Sequence, residues 1–210
     1  MPHSPAATPF IDADANSDHV RRVAALFPSL LDIGDPALRA GVADTWVDAI
    51  ATGNDGRGWS YEQLRALPFT RLAGDTEMRF IEHLNSCARQ CIAIARVLTD
   101  VFGDRVPIDT DTLVAGALLA DVGKLLEYQH HPEHGLTESR LGACLRHPFS
   151  GVALCHAHRI PPEVMHIVAA HSHEGDQVRR SIECTIFHHA DFVDFDIARL
   201  LHARDAEGRR

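Results

Sequence analysis

The stretch DTLVAGALLADVGK, residues 111–124, decides the fold class. From Leu113 to Ala120 every side chain is apolar or absent, so the segment has no polar face to turn toward water. With Asp109 and Asp111 ahead of it, it reads as a fully buried helix over Asp109–Leu119, one of the two aspartates being its N-cap. A helix buried on all sides needs other elements packed around it.

The flanks supply those elements, and they read as helices. Met78, Ile81, Leu84, Cys87, Ala88, Cys91, Ile94, Ala95, Leu98 and Phe102 predict a long helix over Asp75–Phe102, with Asp75 as N-cap and Gly103 as stop. Further helices are predicted over His19–Leu31, Pro36–Ala51, Tyr61–Leu67, Ser150–His158, Pro162–Ala170 and Ile182–Ala203. Thr52–Gly58 and Gln129–Gly135 read as loops, and Val178–Thr185 is too charged for a strand. The expected class is all-α. Residues 1–17 read as a loose tail, 18–67 as a helical extension packed on the core, and 68–205 as the core domain.

Composition narrows the function classes. The 210 residues are 45% hydrophobic and 23% charged, a globular balance that excludes wholesale disorder. The net charge of −9 argues against a binder of extended nucleic acid, which needs a basic footprint, but admits a small anionic substrate such as a nucleotide. No apolar run is long enough to span a bilayer, and no basic-then-apolar leader opens the chain. A cytoplasmic protein without membrane partners is expected, and an oligomer is left open. Cys87, Cys91, Cys144, Cys155 and Cys184 form no Cys-x-x-Cys pair and read as reduced, buried small hydrophobes. Histidine is the outlier, with 15 copies against 2 Tyr and 2 Trp, which raises the prior for a metal site.

Five ionisable residues lie inside or beside apolar helices: His83, Asp121, His147, His171 and Asp191. Each alone has an ordinary explanation as a satisfied core histidine, a cap or a helix-end residue. Together they suggest one site, because buried ions persist when paired or bound to metal. His173, Glu174 and His188 lie close to them in sequence. Arg179, Arg180 and Arg89 are the spare cations for an anionic substrate.

In order, His83, Ala120-Asp121-Val122-Gly123-Lys124, His147-Pro148-x-x-Gly151, His171 and Ala190-Asp191 resemble the HD-domain metal-dependent phosphohydrolase superfamily. The likeness covers about Pro68 to Leu201 and is closest to the phosphodiesterase and HD-domain ribonuclease branches. It implies an all-α bundle holding one or two divalent transition metals, with Mn, Fe, Co, Ni and Zn not distinguished. His83, Asp121 and Asp191 would surround the first ion. Asp121 would bridge to a second ion completed by His147 and His171, and Lys124 would lie near the substrate phosphate. Position 120 departs from the pattern, because Ala120 stands where the superfamily has a histidine. Ser172 likewise stands where some members carry a second histidine.

Three readings of Ala120 stand side by side: an engineered His→Ala change, a natural divergence with His188 or His173 filling in, and a degenerate member that binds without turnover. The implied reaction is hydrolysis of a phosphate ester by metal-activated water, impaired by Ala120. The alternatives are an HD-fold di-iron oxygenase and a non-catalytic ligand sensor.

Overall fold

A computed structural model describes residues 18–70 and 77–208, with side chains as far as residue 204. Its helices are α1 (His19–Leu26), α2 (Pro36–Gly56), α3 (Tyr61–Ala66), α4 (Phe80–Phe102), α5 (Thr110–Leu119), α6 (Lys124–Glu127), α7 (His147–Ala157), α8 (Pro162–Ala170) and α9 (Ile182–Gly208). A small antiparallel hairpin joins β1 (Tyr128–His131) to β2 (Gly135–Glu138). The fold is all-α, and α5 is its axis: Thr112 to Leu119 are all buried, and α2, α4, α8 and α9 pack around them. No helix among the described residues is long and apolar enough to cross a membrane.

Asp109 is the α5 cap, accepting from the Thr112 N–H at 3.0 Å. Asp111 instead ties down the start of α2, accepting from the Gly34 and Asp35 N–H groups at 2.8 and 2.7 Å. Both buried tryptophans are hydrogen-bonded to the segment that decides the fold or to the residue just after it. Trp46 Nε1 donates to the Leu118 carbonyl at 3.1 Å and Trp59 Nε1 to the Leu125 carbonyl at 2.8 Å. One continuous apolar core runs from Val23 through Trp46 and Leu118 to Ala190, so residues 18–67 share it with the rest of the chain.

Several boundaries differ from the sequence reading, each for a local reason. α1 ends at Leu26 rather than Leu31, because Pro28 opens a separate 3-10 turn over Pro28–Asp32. α4 starts at Phe80, and residues 77–79 are not helical; Asp75 lies outside the described residues, as does the predicted tail of residues 1–17. Gln129–Gly135 belongs to the hairpin rather than a plain loop. Its four-residue strands are too short for a period-two signal, and side chains of α2 pin it: Asn54 Oδ1 accepts from the His130 N–H at 2.7 Å. α7 begins at His147, not Ser150, since Pro148 fits a helical first turn. Cys144 is exposed, whereas the other four cysteines are buried free thiols.

Gly123 and Gly151 form one contact between α6 and α7. A Cβ on Gly123 would lie 2.1 Å from the His147 carbonyl oxygen and 2.7 Å from the Gly151 nitrogen. Gly123 has an ordinary φ of −63°, so the requirement is space and not conformation. Gly123→Ala should therefore push α7 outward and destabilise the fold by about 2 kcal/mol, measured as the shift in denaturation midpoint.

Candidate metal centre

Asp121 sits just past the C-terminal end of α5 and is 2% exposed. A carboxylate at that end meets the negative pole of the helix, and burial withholds water from it, so both effects oppose its charge. Four side chains compensate. Lys124 Nζ donates to Asp121 Oδ2 at 2.8 Å, and His83 Nε2 lies 3.4 Å from the same oxygen. His147 Nε2 and His171 Nε2 lie 3.2 and 3.7 Å from Oδ1. Asp191 joins from α9, with its Oδ1 3.2 Å from His83 Nε2. The structure thus brings His83, Asp121, His147, His171 and Asp191 to one place, on five separate segments.

Each imidazole is oriented by an acceptor at its other nitrogen. His83 Nδ1 donates to Asp194 at 3.0 Å, His147 Nδ1 to Glu127 at 3.0 Å and His171 Nδ1 to the Val168 carbonyl at 2.9 Å. All three Nε2 atoms therefore turn toward Asp121. Asp194 is in turn held by Ser86 Oγ and Gln90 Nε2 at 3.2 and 2.9 Å. Glu127 also accepts from the His147 backbone N–H at 2.6 Å and from Arg146 at 2.8 Å, so one carboxylate caps α7 and aims its first side chain.

Sequence reasoning missed Asp194, Glu127 and Arg146. Asp194 had a usable signal: it stands three residues after Asp191 and so on the same face of α9. Glu127 and Arg146 meet only through the tertiary fold.

The donor set fits a cation. Two groups share Asp121: Asp121 with His147 and His171, and His83 with Asp121 and Asp191. His147 Nε2 and His171 Nε2 are 3.4 Å apart. Ligands bound at about 2.0–2.1 Å to one ion stand about 3.0–3.4 Å apart, close to the spacings here. With Nδ1 protonated, the facing atoms of the first group are all acceptors, and a cation satisfies all three together. His83, Cys87 and Asp194 also cluster, but burial pushes the Cys87 thiol up to about 11, so it supplies no thiolate near neutral pH.

Ionisation follows the same contacts. Burial alone would lower the His83 pKa, but hydrogen bonds to Asp121, Asp191 and Asp194 outweigh it and hold the ring well above the usual histidine range. His171 is raised in the same way by Asp121 against its burial. For His147 burial wins, and the pKa is lowered. Burial would raise the Asp121 carboxyl, yet the Lys124 charge and the hydrogen bonds from His171 and His83 keep it well below the usual range. Lys124 is raised, because the attraction of Asp121 exceeds the desolvation of its ammonium.

The centre opens into a cavity of about 510 Å³. Ser172 and His173 line it, and Glu174 stands behind them: His173 Nδ1 lies 3.2 Å from Glu174, and Ser172 Oγ donates to that carboxylate. Arg146 is the guanidinium on its wall, whereas Arg179 is exposed and Arg180 is engaged by the Ala170 and Ser172 carbonyls. Arg89 lies elsewhere, on a separate pocket that Pro28 and Asp32 also line. His188 is not on the wall: its Nδ1 bonds the His171 carbonyl at 2.6 Å. Neither His188 nor His173 joins a candidate ligand group among the described residues. Ala120 is fully buried in the apolar core and is not among the residues that line the cavity. Lys124 lines the cavity, and its Nζ also donates to the Phe69 carbonyl at 3.2 Å.

Two outcomes follow. A group raised above its ordinary value of about 6.5 stabilises the fold fully below that value and less as pH rises through the folded pKa. The metal-free melting temperature should therefore fall as pH rises above about 6.5, and divalent ions should reverse the fall. Metal must also displace the His83 and His171 protons, so apparent affinity should rise about tenfold per pH unit for each proton released. Calorimetry in buffers of different ionisation enthalpy checks the release, and a pH-independent affinity would remove these imidazoles from the ligand set.

No protein-family model matches the chain, and no solved structure matches it. It is similar to dihydroneopterin 2′,3′-cyclic phosphate phosphodiesterase of Methanocaldococcus jannaschii, at 36% identity over 118 residues. The match takes in 56% of this chain and 46% of that protein, so it spans about half the length of the curated relative.

Proposed function

We propose that the chain is a metal-dependent hydrolase of small phosphate esters of the HD-domain kind, with residues 68–205 carrying the centre. The observation behind this reading is the pair of ligand groups sharing Asp121, with every imidazole turned toward it. The similarity to a cyclic phosphate phosphodiesterase supports a cyclic phosphodiester as the substrate bond.

Asp121, His147 and His171 would hold one ion, and His83, Asp121 and Asp191 the other. Divalent ions there would supply Lewis acidity and a hydroxide nucleophile near neutral pH. The two positions differ in character. Two imidazoles and a carboxylate suit Fe, Co, Ni or Zn, whereas one imidazole and two carboxylates lean toward Mn or Mg. Lys124 keeps Asp121 ionised and fixed. Arg146, held by Glu127 and by Glu174 at 3.2 Å, places a guanidinium on the wall for the phosphate oxygens. His173 pairs with Glu174 through Nδ1, which leaves Nε2 to carry a proton to the leaving oxygen.

The group of Asp121, His147 and His171 has the two-histidine, one-carboxylate composition of non-haem iron oxygenases, and this observation keeps the oxygenase reading second. The deciding assay supplies Mn, Fe, Co, Ni, Zn and Mg in turn with 2′,3′-cyclic nucleotides, phosphomonoesters and linear phosphodiesters. Hydrolysis of a cyclic phosphodiester is expected. Asp121→Asn, which keeps the side-chain volume, should lose stoichiometric metal and lower turnover by at least about a hundredfold. Glu127→Gln should weaken metal binding by about 10–100-fold. Absence of both metal binding and phosphoester cleavage would overturn the reading, and dioxygen consumption by an iron-loaded form would favour the second.

A further inference from the structure

Tyr128 closes α6 and opens β1, and its backbone is fixed on both sides. Its N–H donates to the Lys124 carbonyl, and it pairs with Glu138 across the hairpin. The Glu127 carbonyl just before it accepts from the Ser139 N–H at 2.8 Å. The side chain belongs to the buried core at 7% exposure, yet Tyr128 lines the cavity.

The Tyr128 hydroxyl makes no hydrogen bond to the described residues. Nor is it sealed inside the protein: the buried side-chain atom without a partner among those residues is on Asp18. The phenol oxygen therefore opens to the cavity. A buried tyrosine ordinarily gives its hydroxyl to a protein partner. The neighbouring donors do so, Ser172 to Glu174 and Lys124 to Asp121 and the Phe69 carbonyl.

The surroundings indicate what the free hydroxyl receives. Lys124 and Arg146 both line the cavity, and the charges of both act on Tyr128. Asp121 and Glu127 act in the opposite sense, but each is already paired, Asp121 with Lys124 and Glu127 with Arg146 and His147. Arg146 gives Nε to Glu174 and Nη1 to Glu127, which leaves Nη2. Burial holds the phenol above the ordinary tyrosine range, so near neutral pH it is uncharged and carries a proton to donate. A rigidly held O–H beside a guanidinium is a donor pair for an anionic oxygen.

We propose that Tyr128 is a substrate-binding residue of this centre, donating its hydroxyl to a phosphate oxygen alongside Arg146. This rests on the phosphoesterase reading. The variant is Tyr128→Phe, which removes the hydroxyl and keeps the buried ring. The probe is inorganic phosphate, titrated calorimetrically into the metal-loaded protein. Phosphate affinity should fall about tenfold, and kcat/KM for a 2′,3′-cyclic nucleotide should fall at least as far. Because no protein hydrogen bond is lost, metal content should stay the same and the melting temperature should be unchanged or raised. A hydroxyl that only supports the wall gives the reverse pattern, a lower melting temperature with phosphate affinity unchanged, and that result overturns the proposal. Loss of metal from the variant also overturns it. Hydrolysis that Tyr128→Phe leaves unchanged sinks this proposal alone. A metal-loaded wild type that neither binds phosphate nor cleaves a phosphoester sinks the phosphoesterase reading, and this proposal with it.

Discussion

Asp121 is a buried carboxylate at the unfavourable end of an all-apolar helix, and much of the centre is arranged to keep it charged. Desolvating an ion costs several kcal/mol, so its counter-charges must be close and held in place. Lys124 approaches from the next turn, while His83, His147 and His171 come from α4, α7 and the end of α8. The helices that carry these groups are the ones packed on or near α5. Burying the apolar face of α5 and surrounding Asp121 are therefore one packing arrangement.

The approach of α7 shows how closely packing and chemistry are joined. Two glycines, Gly123 and Gly151, let the helices meet nearly backbone to backbone. That contact brings the first residue of α7 beside Asp121. Glu127 then satisfies the free N–H at the start of α7 and fixes the tautomer of His147 with the same carboxylate. Arg146, on the cavity wall, links Glu127 to Glu174 behind it. A change in any of these residues acts on the geometry at Asp121, although only His147 among them faces it.

α9 divides its labour by helical spacing. Asp191 faces His83, Asp194 orients the same ring from its other nitrogen, and Phe192 and Phe195 line the cavity. His188 begins this stripe and holds the His171 carbonyl. One helix face thus supplies a candidate ligand, its orienting partner and an aromatic wall.

The all-α class and most helices were legible because long apolar periodicities survive without tertiary context. The five converging residues were legible for a related reason: ionisable side chains inside such helices stand out against an apolar background. The hairpin was not, since four-residue strands pinned by Asn54 leave almost no periodic signal. Nor could the sequence show that Lys124 bonds a carboxylate and a carbonyl, that Arg146 lines the cavity and the exposed Arg179 does not, or that Asp194 and Glu127 aim two of the imidazoles. Those facts depend on distances between residues up to 111 positions apart. Local pattern determined most of the helical segments and marked His83, Asp121, His147 and His171 as buried. Packing alone decided which nitrogen faces which oxygen, because hydrogen-bond geometry is set where the helices cross.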